Sequence, residues 1–163
     1  MRHLRSASVL LLSALLPCCS LQESVGSIGP AAVEARTVEA RTTDADAAAA
    51  IISRYRVANG LGPVRIDPQL TAAAAYQARS NAKAGAVSHG DFEARMDRFG
   101  IRGESAENLA SGAETVEEVI VDWQESPSHN ASLLLPPATR IGLARVDTPN
   151  DRNGPYWALV LAE

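Results

Sequence analysis

Two apolar runs near the end of the chain constrain its fold more than any other feature. Residues 140–147 carry Ile141, Leu143 and Val146; residues 156–161 set Trp157, Leu159 and Leu161 alternating with Tyr156, Ala158 and Val160. A period of two sends successive side chains to opposite faces of a strand. Between the runs, residues 149–155 contain Asn153-Gly154, a hairpin signal. Upstream, the chain reads as helices and extended connections. Helices first and strands last predict a layered α/β (α+β) arrangement with an antiparallel sheet.

The helices are marked by their ends. Asp44 or Asp46 can cap a helix running to about Ala58, with Ile51, Ile52, Tyr55 and Val57 in need of burial and Asn59-Gly60 closing it. Residues 61–66 read as extended. Asp67-Pro68 is a strong helix start, an N-cap followed by proline at the first helical position. That helix runs to about Ala84 and ends at Gly85. Leu70, Ala73, Ala74, Gln77 and Ala78 share one face, and the many alanines permit close approach to whatever packs there. A shorter helix is expected over 92–99, stopped by Gly100, then a strand or extended loop over 104–109. Thr115 with Glu118 forms a capping-box pattern. The helix it starts carries Val116, Val119, Ile120 and Trp123 inward and stops before Pro127.

Composition narrows the function classes. The chain has 163 residues, enough for one domain with a core of its own. A net charge of −4 gives no basic stripe for nucleic acid, and 4% aromatics argue against a carbohydrate platform or a stacking surface for single strands. Arg2, His3 and Arg5 precede an apolar stretch at 9–16, too short to span a bilayer. Pro17, Cys18, Cys19 and Ser20 follow. This reads as an export signal over 1–19 of lipoprotein type, with Cys18 or Cys19 as alternative acylation sites; Pro17 stands where a lipobox has a small residue. Residues 20–43 read as a flexible tether and 44–163 as the domain. The only two cysteines lie in the signal, so the domain has no disulfide, no thiol nucleophile and no zinc–thiolate site.

His89, Glu107 and His129 are the residue types of a small metal or acid/base site. Two neutral imidazoles with open positions can hold a divalent cation such as zinc. Glu107 can ligate that ion, orient a bound water, or act as a base. Spacing alone does not unite them, since there is no His-Glu-x-x-His helix. The plainer reading has His89 ending a loop, His129 capping a turn after Pro127, and Glu107 bonding local backbone. Ser126 and Ser128 lack a nucleophile elbow. Asn108 reads as an amide satisfying backbone, and Trp123 and Trp157 as core. The sequon at 130–132 reads as accidental.

The order of motifs adds a resemblance. Asn59-Gly60-Leu61, Asp67-Pro68, Ser88-His89, Ala106-Glu107-Asn108-Leu109-Ala110, Trp123-x-x-Ser126-Pro127-x-His129, Ile141-Gly142-Leu143 and Tyr156-Trp157 follow one another over about residues 48–162. Together they resemble the bacterial branch of the CAP superfamily of cysteine-rich secretory, antigen-five and pathogenesis-related proteins. The resemblance implies an α-β-α sandwich, helices on both faces of a mainly antiparallel sheet, and an extracytoplasmic location. It places the family's cavity histidines on His89 and His129 and its first cavity glutamate on Glu107. Many eukaryotic members have a second glutamate three residues after the helix tryptophan; here that position is Ser126, and Glu125 points elsewhere on the helix.

The incomplete glutamate set favours a binding or scaffold module over an enzyme. The ligand expected is a small lipid, a peptide or an envelope component, with no nucleic acid, and with the membrane reached only through an N-terminal lipid. The alternative is a metal-assisted peptide or ester hydrolase using His89, Glu107 and His129. A third reading is a structural envelope protein with a vestigial cavity.

Overall fold

The computed structural model describes residues 30–149 and 151–163, with side chains from Asp44 onward. The export signal, both cysteines and residues 20–29 lie outside the described residues. Among the described residues, five helices, α1 (Pro30–Ala58), α2 (Pro68–Ala84), α3 (Phe92–Arg98), α4 (Val116–Glu125) and α5 (Pro127–Leu133), accompany four strands, β1 (Arg65–Ile66), β2 (Ser105–Ser111), β3 (Arg140–Val146) and β4 (Tyr156–Ala162).

The strands form one sheet in the order β1-β3-β4-β2. β4 runs antiparallel to both β3 and β2, and only the two-residue β1 is parallel to its neighbour. β4 is thus central and buried on both faces, which explains why both sets of its alternating residues are apolar. Trp157, Leu159 and Leu161 join Ile141 and Leu143 beneath α1, α4 and α5. Ala158, Val160 and Ala162 face α2 and α3, against Leu70, Ala73, Ala74, Ala78 and Met96. The expected α-β-α sandwich is therefore present, one apolar layer on each side of a mainly antiparallel sheet.

Local chemistry sets the helix ends. The Asp67 carboxylate accepts from the Gln69 and Leu70 N–H groups at 2.8 and 3.0 Å and pairs with Arg140 at 3.1 Å, tying the start of α2 to β3. Burial opposes its charge, but those bonds hold its carboxyl below the usual range. Thr115 and Glu118 complete the capping box of α4. α2 approaches β3 so closely that a Cβ on Gly142 would collide with the Leu70 and Thr71 backbone. Gly142 and the alanines of α2 are two halves of that contact.

Val57, expected to need burial, is instead 57% exposed, and two expectations about the helices differ from the structure. The first helix begins at Pro30, not Asp44, so residues 30–43, expected as tether, are helical. That stretch lacks an apolar period but is rich in Ala, Glu and Arg, whose intrinsic helix propensity needs no period. Second, Pro127 does not simply end α4. It is the first residue of α5, a role that its fixed φ and missing N–H suit equally well. His129 therefore sits in a helix rather than capping a turn.

Candidate functional site

The site is assembled around β2, whose outer edge is unpaired among the described strands. Leu109 belongs to the α2/α3 layer and Ala110 to the opposite one, so alternation puts Glu107 with the former and Asn108 with the latter. Groups from both layers can meet over this edge.

Glu107 is buried, its side chain 2% exposed, whereas the His89 ring is 56% exposed. His89 Nδ1 lies 2.8 Å from Glu107 Oε1. The second carboxylate oxygen accepts from Arg95 Nη2. Burial pushes the Glu107 carboxyl up from its ordinary value, and the bonds and charges of His89 and Arg95 counter that push. An ionised carboxylate only accepts, so Nδ1 of His89 carries the hydrogen. With a hydrogen on Nδ1, a neutral ring keeps its lone pair on Nε2. This carboxylate-backed imidazole is the arrangement that fixes metal-ligating histidines.

His129 enters from α5. The Asn108 Nδ2 group donates to its carbonyl at 2.9 Å, and Tyr55 Oη–H donates to Asn130 Oδ1 at 2.8 Å, fixing α5 from both sides. Burial lowers the His129 pKa, and the charge of nearby His89 lowers it further. Its ring is therefore biased toward the neutral, ligand-competent form.

The structure thus joins His89 directly to Glu107, while Asn108 ties β2 to the backbone of His129 and the His129 ring lies within the electrostatic reach of His89. It does not gather three ligands: among the described residues, no group of three or more His, Cys, Asp or Glu side chains is clustered closely enough to hold a metal ion. The donors that fit a divalent cation are two imidazoles, with Glu107 behind one of them. Ser126 ends α4, its Oγ 3.4 Å from Ser128 Oγ. Trp123 and Trp157 are core residues whose indole N–H groups donate to the Leu109 and Ala113 carbonyls.

Sequence reasoning missed Arg95. Its guanidinium is buried and bonds Glu107, Gln77 Oε1 and the His89 carbonyl, the last at 2.9 Å. Gln77 in turn donates to Asn81 Oδ1 at 3.2 Å and to the Ser88 carbonyl. One polar chain therefore runs from α2 through α3 to β2 and fixes the loop that bears His89. The signal available in sequence was Gln77, a polar residue on the apolar stripe of α2, with Asn81 one turn on.

A sequence model of the cysteine-rich secretory protein family, CAP, matches residues 50–161. The chain belongs to the CAP family. Its CAP domain is 32% identical over 99 residues to an uncharacterized protein, YkwD, of Bacillus subtilis; the match covers 57% of this chain and 38% of YkwD. The chain thus spans well under half the length of that relative. Among solved structures, the CAP domain is similar to an outer surface protein of Borrelia burgdorferi, with 24% identity and a TM-score of 0.67 over 74% of this chain and 92% of that one. It is also similar to an extracellular protein containing an SCP domain from Bacillus anthracis, with 16% identity and a TM-score of 0.70 over 85% and 45% of the two chains. At these identities the likeness shows the fold alone. No helix among the described residues is long and apolar enough to cross a membrane.

Proposed function

We propose that this chain is an extracytoplasmic CAP-domain protein of the bacterial cell envelope that acts as a binding or scaffold module, with His89 and His129 taking a divalent cation such as zinc. The observation that carries the reading is the engagement of Glu107. One oxygen faces His89 Nδ1 and the other accepts from Arg95, and the side chain is 2% exposed, so the carboxylate is engaged in orienting its partners and is poorly placed to take a proton from water or to serve as a third ligand. Catalytic zinc sites usually have three protein ligands, and here two imidazoles are offered. A bound cation would supply Lewis acidity toward an oxygen of a lipid, peptide or other envelope component. The structural neighbours, an outer surface protein and an extracellular protein, support the location, as does the signal-like N-terminus with Cys18 and Cys19.

One observation favours the hydrolase alternative: a carboxylate-oriented imidazole is also how a general base is built. Calorimetry with zinc, followed by a peptide and ester panel, separates the readings. The binding module gives zinc heat that His89→Ala and His129→Ala abolish, and no turnover. Absence of heat ends the cation reading. Turnover abolished by Glu107→Ala establishes the hydrolase instead.

A further inference from the structure

We propose that Gln77 and Arg95 are positioning residues for His89: a buried relay from α2 through α3 to β2 fixes both the backbone of that histidine and the tautomer of its ring before any ligand arrives. Only the consequence for zinc rests on the proposed cation site; the tautomer does not. The loop that presents His89, over 85–91 between α2 and α3, needs such a device. Residues 86–91 are all exposed, so burial of apolar side chains does not hold it.

The anchors are polar and buried. Gln77, Asn81 and Arg95 are 4, 3 and 5% exposed. Asn81 Oδ1 accepts from the Ser88 N–H at 3.3 Å, Gln77 Nε2 donates to the Ser88 carbonyl, and Arg95 Nη1 donates to the His89 carbonyl at 2.9 Å. Gln77 ties the three together: its Nε2 also donates to Asn81 Oδ1 at 3.2 Å, and its Oε1 accepts from Arg95 Nη1. To do so it interrupts the apolar stripe of Leu70, Ala73, Ala74 and Ala78 on α2. An apolar side chain there would pack without desolvating an amide, so stability alone does not account for a glutamine.

Arg95 holds His89 at two ends. Its Nη1 donates to the His89 carbonyl and its Nη2 to Glu107 Oε2, while Glu107 Oε1 faces the ring Nδ1 at 2.8 Å. One rigid guanidinium plane, its carbon 5.4 Å from the centre of the Phe92 ring, therefore sets the separation between the backbone of His89 and the carboxylate that meets its ring. The partner of one ring nitrogen decides which nitrogen carries the hydrogen. The relay thus keeps the hydrogen on Nδ1 and the lone pair on Nε2. A lysine would keep a positive charge beside Glu107 but lacks the planar fork, so it cannot hold both ends. That difference separates positioning from charge pairing alone.

The test reads the His89 ring nitrogens by NMR in the full chain, without metal and at weakly alkaline pH, and then titrates zinc by calorimetry. It compares the unaltered chain with Arg95→Lys and Gln77→Met. The unaltered chain is expected to show one tautomer, with the hydrogen on Nδ1. Both variants should mix the two tautomers, broaden the amide signals of residues 86–90 and weaken zinc binding about tenfold, the scale of losing an outer partner of a metal-bound histidine. Gln77→Met alters neither Glu107 nor the charge of Arg95, so it decides the matter should Arg95→Lys fail to fold. A ring with its hydrogen on Nε2 in the unaltered chain, a single Nδ1–H tautomer kept in Gln77→Met, or zinc affinity unchanged in both variants would each overturn the proposal. Full retention of tautomer and affinity in Arg95→Lys would overturn the positioning role of Arg95 and leave it a charge partner. Absence of zinc heat from the unaltered chain would end the cation reading, and the tautomers would still decide the relay.

Discussion

The sheet separates two buried arginines that do different work. On the α1/α4/α5 side, Arg56 is fully buried and donates to four carbonyls, those of Gly62, Leu133, Leu135 and Ala138, at 2.8 to 3.0 Å. Among the described residues, no carboxylate pairs with it. Burial lowers its pKa, and the carbonyl dipoles stand in for water. It clamps the turn after α5 onto α1. On the α2/α3 side, Arg95 shares its charge with Glu107, touches the loop that bears His89, and keeps an unmatched Nε. One arginine is saturated by backbone and serves the fold. The other is tied to a titratable pair, and the candidate chemistry lies around it.

Removing the saturated arginine should have the largest effect. Arg56→Met takes a donor from four carbonyls; those of Leu133 and Ala138 are in buried bonds, while that of Leu135 still accepts from the Ala138 N–H. At about 1–3 kcal/mol per unsatisfied group, with relaxation recovering part, the loss should be about 4 kcal/mol. Urea unfolding measures it. A loss near zero would mean the turn re-solvates and Arg56 is no clamp.

Glu107→Gln probes the other side. A carboxamide keeps the shape and one acceptor but removes the charge facing Arg95. Burial already opposes ionisation of Glu107, so the cost should be smaller, about 2 kcal/mol. A loss as large as that of Arg56→Met would erase the distinction between the two arginines.

The smallest effect is in pH dependence. The folded pKa of His129 lies below its ordinary value of 6.5, so the folded chain binds fewer protons there than the unfolded one. Its contribution is present above that value and is lost as pH falls through the folded pKa. Glu107 acts oppositely: its folded pKa is raised above 4.5, so its contribution is present below that value and lost as pH rises through the folded pKa. His129→Asn should therefore flatten the fall in melting temperature between neutral and weakly acidic pH and leave the Glu107 trend in place. An unchanged profile would show that burial of His129 does not bias its protonation.

These contrasts bear on what a sequence discloses. α2, α4, β3 and β4 were legible because their signals are local: Asp67-Pro68, Thr115 with Glu118, and strict alternation at 156–161. Ser126-Pro127 was read as an exit because proline stops one helix with the same chemistry that starts the next. Arg95 was not legible, since its partners Glu107 and Gln77 lie 12 and 18 residues away and on other elements. Arg56 was hidden for the same reason, its carbonyls at 133–138 being reachable only once α5 folds back. His89, Glu107 and His129 were named by type and by family resemblance. The pairing of His89 with Glu107, and the use of both Glu107 oxygens, came only from the fold.

In the proposed function, His89 and His129 form one cation-binding cleft backed by an engaged Glu107. The most direct test follows the imidazole ring signals of the mature chain during a zinc titration. The account predicts that both rings respond in a single saturable transition at one zinc per chain, with His89 bound through Nε2 while Nδ1–H stays on Glu107. Separate saturation of the two rings, or no response from either, would contradict it.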